Sequence, residues 1–251
     1  PYWNVLPEQS VSLFIQSGCR PSEEAVRRTV ALGAEATDLW KEVLELQANK
    51  PAPLTAFDTF FLMAPIVTMR GEQRAIDFYQ HLVSEVRERI GQGIGALDKE
   101  THRLLWENIP IWYRLRNLSE QFSSRGANFV MATYTDAWAQ GVILAEGTVF
   151  ERIAAEYQTF LPNLSLEHRF KLTLNMIDTY SITGIVIHSN HSCKPYSLIQ
   201  PELARKLRET RGIPILVIDS DMCDPRFYSD AQVSARVEAF METLEGLHCQ
   251  A

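Results

Sequence analysis

Reactive side chains concentrate in one stretch, His188-Ser189-Asn190-His191-Ser192-Cys193-Lys194-Pro195-Tyr196, which gathers a thiol, two imidazoles, a carboxamide and an ammonium. Cys193 falls between an apolar run and an expected helix start. The helix N-terminus and Lys194 would both favour thiolate over thiol. The residue types leave three chemistries open: a metal or cluster ligand, a nucleophile, or an inert thiol in a polar loop. His188 and His191 are candidates for delivering a proton to a bound substrate, and a loop histidine that is only solvated or hydrogen-bonded is the plain alternative. A second polar stretch, Asp219-Ser220-Asp221-Met222-Cys223-Asp224, could bring Cys223 towards Cys193, although its carboxylates would raise a thiol pKa. Its aspartates suit Mg²⁺ but equally suit loop ends and helix caps. Cys19 and Cys249 are assigned no role. The spacing of the four cysteines matches no compact zinc motif and is too sparse for a disulfide framework, so a reduced, cytoplasmic protein is expected. Trp106, Trp112, Tyr113, Tyr134 and Trp138 read chiefly as core, with Tyr134 and Trp138 as candidate walls of an apolar pocket.

The elements that must position these residues follow a change of rhythm near residue 100. Before it the chain reads as helical. Pro21 and Ser22 open a helix to about Gln47, Thr55 and Asp58 form a capping box for Ala56–Met63, and helical spacing continues over about Gly71–Ile90. Gly91-Gln92-Gly93-Ile94-Gly95 reads as a linker and fails as a phosphate loop, because no strand precedes it. After residue 100, short apolar runs alternate with helices. Strands are expected at Arg103–Glu107, Asn128–Thr133, Gly184–His188 and Pro214–Ile218. Helices are expected at about Pro110–Arg125, from a Thr148/Glu151 cap, at Ser165–Tyr180, at Leu198–Arg211 and from a Ser229/Gln232 cap through Leu247. Four apolar strands separated by helices predict a parallel sheet covered on both faces, with ligands bound beyond the carboxyl ends of the strands. The expected architecture is α/β, with residues 1–98 a helical segment and 99–251 a flavodoxin-like domain of about four strands.

Composition removes other classes. Hydrophobic residues make up 46% and charged residues 22%, which is ordinary for a globular chain. With 24 Lys and Arg against 31 Asp and Glu the net charge is −7, which gives no footprint for a polyanion; nucleic acid is not an expected partner. No apolar run is long enough to span a bilayer, so a membrane is not expected either. No G-x-S-x-G elbow and no G-x-G-x-x-G after a strand occur, which weakens hydrolase and dinucleotide-dehydrogenase readings.

The string HSNHSCKPYSLIQPELARKLRETRGIPILVIDSDMCDPRFYSDAQVSARVEAFMETLE resembles the C-terminal region of the benzoyl-CoA reductase/2-hydroxyacyl-CoA dehydratase family. HRLLWENIPIWYRLRNLSEQFSSRGANFVMATYTDAWA and GCRPSEEAVRRTVALGAEATDLWKEVLELQ support the same resemblance, which covers nearly the whole chain. It implies flavodoxin-like domains and a 4Fe–4S cluster held by three cysteines, two of them from an N-terminal domain. Only Cys193 carries over as a cluster ligand; Cys19 and Cys223 match no required thiol. The resemblance leans towards benzoyl-CoA reductase subunits. It thereby implies a low-potential one-electron, radical reduction of an aromatic acyl-CoA to a cyclic dienoyl-CoA. A homologous second catalytic subunit and an ATP-dependent iron–sulfur activator are the implied partners. On this reading Asn190, Lys194, Tyr134 and Trp138 contact substrate, His188 or His191 handles protons, and Lys194 offsets cluster charge. The chain, which starts at Pro1 on an aromatic and aliphatic run, is expected to be a fragment lacking the N-terminal domain and inactive alone. The alternatives are a 2-hydroxyacyl-CoA dehydratase subunit acting through a ketyl radical, a non-catalytic interaction subunit, and zinc bound by Cys193 with nearby His and Asp.

Overall fold

A computed structural model describes residues 16, 18, 21–139, 151, 155 and 157–248. In chain order its first elements are α1 (Glu23–Glu45), α2 (Ala56–Leu62), α3 (Ala64–Thr68), α4 (Gln73–Gly91), β1 (His102–Glu107), α5 (Leu115–Ser123) and β2 (Ala127–Ala132). There follow α6 (Thr133–Asp136), α7 (Leu166–Tyr180), β3 (Gly184–Asn190), α8 (Lys194–Ser197), α9 (Gln200–Arg211), β4 (Ile215–Ser220) and α10 (Asp230–His248). The mixed α/β architecture with a helical N-terminal segment is the one expected from the sequence.

Local signals set most boundaries. Ser22 caps α1 by accepting from the Ala25 amide at 3.1 Å. The capping box at Thr55 and Asp58 forms reciprocally, at 3.0 and 2.8 Å. Ser165 caps α7, and Gly126 enters β2 at φ 72°, a conformation that suits glycine. The expected cap at Thr148 lies outside the described residues.

Two boundaries differ from expectation in a way that matters. β3 runs on to Asn190 and β4 to Ser220, because Ser189 pairs with Asp219 and Asn190 with Ser220 across the ladder. His188, Asn190 and Asp219 are therefore strand residues, and the loop carrying Cys193 is short. The helix expected from Leu198 also divides into the single turn α8 and the longer α9.

The four strands are parallel in the order β2-β1-β3-β4. Successive side chains along a strand point to opposite faces, and both faces are buried. On one face Trp40 of α1, Tyr79 of α4, Met176 of α7 and Leu203 of α9 meet Leu105, Ile185 and Ile187. On the other, Phe57, Phe122, Phe240 and Met241 meet Leu104, Trp106, Phe129 and Val186. Each large apolar side chain buried this way contributes about 1.5–3 kcal/mol, so the helical segment and the strands share one core. A buried clamp reinforces this at the amino end of β1. The Arg103 guanidinium donates to the carbonyls of Tyr180, Asn49 and Gln47 at 2.7, 3.0 and 2.7 Å and pairs with Glu100.

Strand order identifies the functional edge. Connections leave β1 towards β2 on one side and β3 towards β4 on the other, so the direction of winding reverses between β1 and β3. In open parallel sheets that switch point opens a crevice beyond the carboxyl ends of the strands. The segments leaving β1 and β3 there are Asn108–Pro110 and His191–Lys194.

Candidate functional site

Asn108 ends β1 with φ 92°, in the left-handed region that residues other than glycine seldom occupy. Its side chain over-determines that conformation. Nδ2 donates to the His188 carbonyl at 2.7 Å, and Oδ1 accepts from the Ile109 amide at 2.6 Å. Asparagine is among the few residues that tolerate this region, and the two bonds fix the turn at the switch point.

Cys193 sits at the start of α8, half-buried. The expectation of a thiolate favoured by a helix N-terminus loses most of its basis here. α8 has four residues, and a macrodipole needs many aligned peptide units. Cys193 instead packs against a small apolar cluster of Ala137, Leu161 and Tyr196, together with Tyr134 and Phe160. Trp138 borders this cluster through its ring contact with Phe160, with centroids 6.0 Å apart. Of the two expected pocket walls, Tyr134 shares the cysteine's cluster, whereas Trp138 reaches it only through Phe160 and packs mainly against the core on the α1 side of the sheet. Burial pushes the Tyr134 and Tyr196 phenols above their ordinary pKa, so both stay protonated donors. The Tyr196 hydroxyl and the Trp138 indole N–H are buried and have no hydrogen-bond partner among the described residues.

Two polar networks hold this loop. On one side Asn190 is buried, and its Oδ1 accepts from the Ser192 and Met222 amides at 3.2 and 3.3 Å. Its Nδ2 has no partner among the described residues. Ser192 donates to the Asp221 carboxylate, which also accepts from the Cys223 and Asp224 amides at 2.9 Å each. These donors hold the Asp221 carboxyl down at about 2. On the other side Arg169 donates to the carbonyls of Tyr196 and Pro195 at 3.2 and 3.4 Å. It pairs at 2.5 Å with Glu107, which also accepts from Gln200. Burial pushes the Glu107 carboxyl up, and Arg169 and Gln200 pull against that rise. Glu107, Arg169 and Gln200 form a buried clamp on this loop that the sequence pattern does not single out. The signal available was an arginine within the helical run Leu166–Tyr180, and nothing in one dimension shows that it points inward.

The remaining candidates separate. His188 is fully buried, with Nδ1 donating to the Ile109 carbonyl at 2.6 Å and Nε2 3.2 Å from the Ser220 hydroxyl. Burial lowers its pKa to about 4, so it is neutral at physiological pH and has no proton to spare. His191 is at the surface, with Nε2 2.9 Å from Asp219 and its ring 4.8 Å from that of Phe227. It opens on a cleft of about 260 Å³ lined also by Arg226, Tyr228 and Arg236. Lys194 is exposed. Cys223 carries a free, exposed thiol. Cys19 and Cys249 lie outside the described residues.

For a metal, the donor set is narrow. Among the described residues no three His, Cys, Asp or Glu side chains converge as ligands. Asp219, Asp221 and Asp224 are each engaged by protein donors instead. A single soft sulfur donor beside an apolar cluster that holds the unpartnered Tyr196 hydroxyl suits one corner of an iron–sulfur cluster, whose sulfurs accept hydrogen bonds. It suits a self-contained zinc site poorly.

Comparison with known proteins shows the family. The chain belongs to the 2-hydroxyglutaryl-CoA dehydratase, D-component family, whose model matches residues 11–244. It is 31% identical over 229 residues to the (R)-phenyllactyl-CoA dehydratase alpha subunit of Clostridium sporogenes, covering 91% of this chain and 55% of that protein. To the (R)-2-hydroxyisocaproyl-CoA dehydratase alpha subunit of Clostridioides difficile it is 29% identical, covering 93% and 57%. To a benzoyl-CoA reductase subunit of Thauera aromatica it is 28% identical, covering 96% and 58%. The chain therefore spans a little over half the length of these relatives. They favour the dehydratase alternative over the reductase towards which the sequence strings leaned. Among the described residues no helix is long and apolar enough to cross a membrane.

Proposed function

We propose that this chain is the Cys193-bearing part of a 2-hydroxyacyl-CoA dehydratase subunit, which removes water from a 2-hydroxyacyl-CoA. The observation that carries the reading is a half-buried thiol at the sheet's switch point, in a chain most similar to dehydratase alpha subunits among the relatives described. An iron–sulfur cluster bound through Cys193 would supply low-potential one-electron chemistry. The chain's own residues have more ordinary tasks. Tyr134 and Trp138 exclude water from the recess, and Asn190, with an unpartnered buried Nδ2, offers a donor to a substrate oxygen. Of the two histidines, His191 is the better proton carrier. Asp219 accepts from its Nε2 and leaves Nδ1 to take up a proton, whereas His188 is sealed. Lys194 stays available for the anionic part of substrate or cofactor. A second subunit and an ATP-driven electron donor complete the proposed enzyme, and a reduced cytoplasmic setting suits its free thiols.

A second reading, an aromatic acyl-CoA reductase, is favoured by one observation: the benzoyl-CoA reductase relative covers 96% of this chain. The test uses the full-length polypeptide with its partner subunit and activator, purified without oxygen. It is offered a panel of 2-hydroxyacyl-CoA esters and benzoyl-CoA. Enoyl-CoA formation that disappears in Cys193→Ser, together with iron and acid-labile sulfide, is the expected result. Ring reduction without dehydration would select the second reading, and full iron content in Cys193→Ser would remove both.

A further inference from the structure

Tyr196 lies one helical turn beyond Cys193, in the same apolar cluster, and is 3% exposed. A buried phenol nearly always finds a hydrogen-bond partner. This one has none among the described residues, and a buried donor left unpaired is destabilising. Neither can the hydroxyl turn to solvent. The Arg169 guanidinium lies over the Tyr196 ring, 5.6 Å from its centroid, and also holds the Tyr196 carbonyl at 3.2 Å. Ala137 and Leu161 of the cluster offer no side-chain acceptor. The groups within electrostatic reach are Glu107, Tyr134, Arg169 and the Cys193 thiol, and the Glu107 carboxylate already accepts from Arg169 and Gln200. An orphaned buried donor in the same cluster as the thiol calls for an acceptor, and a group bound at the thiol can supply one.

We infer that the Tyr196 hydroxyl donates a hydrogen bond to a sulfur of the iron–sulfur group held at Cys193, and so tunes its reduction potential. The inference rests on the cluster-ligand reading of Cys193 proposed above. A hydrogen bond to cluster sulfur stabilises the more negative, reduced state and raises the potential. Tyr196 is thus a positioning and tuning residue that forms no bond to iron.

The experiment uses the full-length polypeptide with its partner subunit, prepared without oxygen as wild type, Tyr196→Phe and Cys193→Ser. Iron, acid-labile sulfide, thermal midpoint and cluster midpoint potential are measured. Tyr196→Phe keeps the ring and its stacking on Arg169 and removes only the hydroxyl. It should retain iron and sulfide and shift the potential downward. Incorporating difluorotyrosine at position 196, a more acidic donor of nearly the same shape, should shift it upward and covers the case in which Tyr196→Phe assembles poorly. Potentials equal to wild type in both forms, with Cys193→Ser depleted of iron, would overturn the role of Tyr196 alone. Full iron in Cys193→Ser would overturn the ligand assignment and this inference with it, a result distinguishable from the first.

Discussion

Replacing Arg169 by methionine tests whether the Cys193 loop is held by a buried ion pair. Both partners have side chains only 2% exposed, and they meet at 2.5 Å. Methionine fills much of the same volume but supplies no charge and no donor. It strands the Glu107 carboxylate with Gln200 as its remaining side-chain donor, and it releases the carbonyls of Pro195 and Tyr196. Breaking a buried pair on one side costs about 3–5 kcal/mol, mostly through the uncompensated charge. The sign with pH then follows from Glu107. Burial already raises its carboxyl, and removing the Arg169 charge removes the main opposing influence. A carboxyl raised in the folded state contributes stability that is fully present below its unfolded value of about 4.3 and lost as pH rises through the folded value. The deficit of Arg169→Met relative to wild type should therefore be largest near pH 8 and shrink towards pH 5. Taking the difference cancels the other titrating groups. Denaturant unfolding at several pH values reads the deficit, and the double variant with Glu107→Gln should recover most of it. Peptide-resolved alkylation of Cys193 should be faster in the single variant, because its loop has lost a clamp. A deficit below about 1 kcal/mol, flat with pH and unrelieved in the double variant, would refute the buried-pair account.

Two further outcomes are expected from the fold itself. Gly184 opens β3 where an added Cβ would stand 2.9 Å from the Phe240 ring and 3.0 Å from Leu244, so Gly184→Ala should destabilise by about 1–3 kcal/mol in denaturant unfolding. His188, lowered to about 4 from its ordinary 6.5, makes the folded state bind fewer protons than the unfolded one between those values. Its contribution is present above pH 6.5 and is lost as pH falls towards 4, at about 1.4 kcal/mol per pH unit. His188→Gln should be less stable than wild type at pH 7, and the gap should close by pH 4.

Much of the fold was legible because its causes are local. The Thr55/Asp58 box, the Ser22 and Ser165 caps, the apolar runs of β1 to β4 and the inward positions Val233, Val237, Phe240, Met241 and Leu244 are all written in short-range spacing. The boundary errors were non-local. Ser189 and Asn190 look like loop residues, and they remain in strand because Asp219 and Ser220 pair with them from thirty residues away.

The site divided along the same line. The sequence by itself determined that Cys193, with His191 beside it, stands after a buried strand, since a thiol in that string is a property of one short segment. Only the tertiary structure decided which groups serve it. Strand order placed the reversal of winding between β1 and β3 and brought Asn108 against His188 of β3 and Ser197 of α8. Burial sealed His188 and left His191 open, although both are histidines of the same stretch. The clamp of Glu107, Arg169 and Gln200 joins a strand end and two helices remote in the chain. Burial and electrostatic pairing depend on what surrounds a group in three dimensions, and a residue's neighbours in sequence do not specify that.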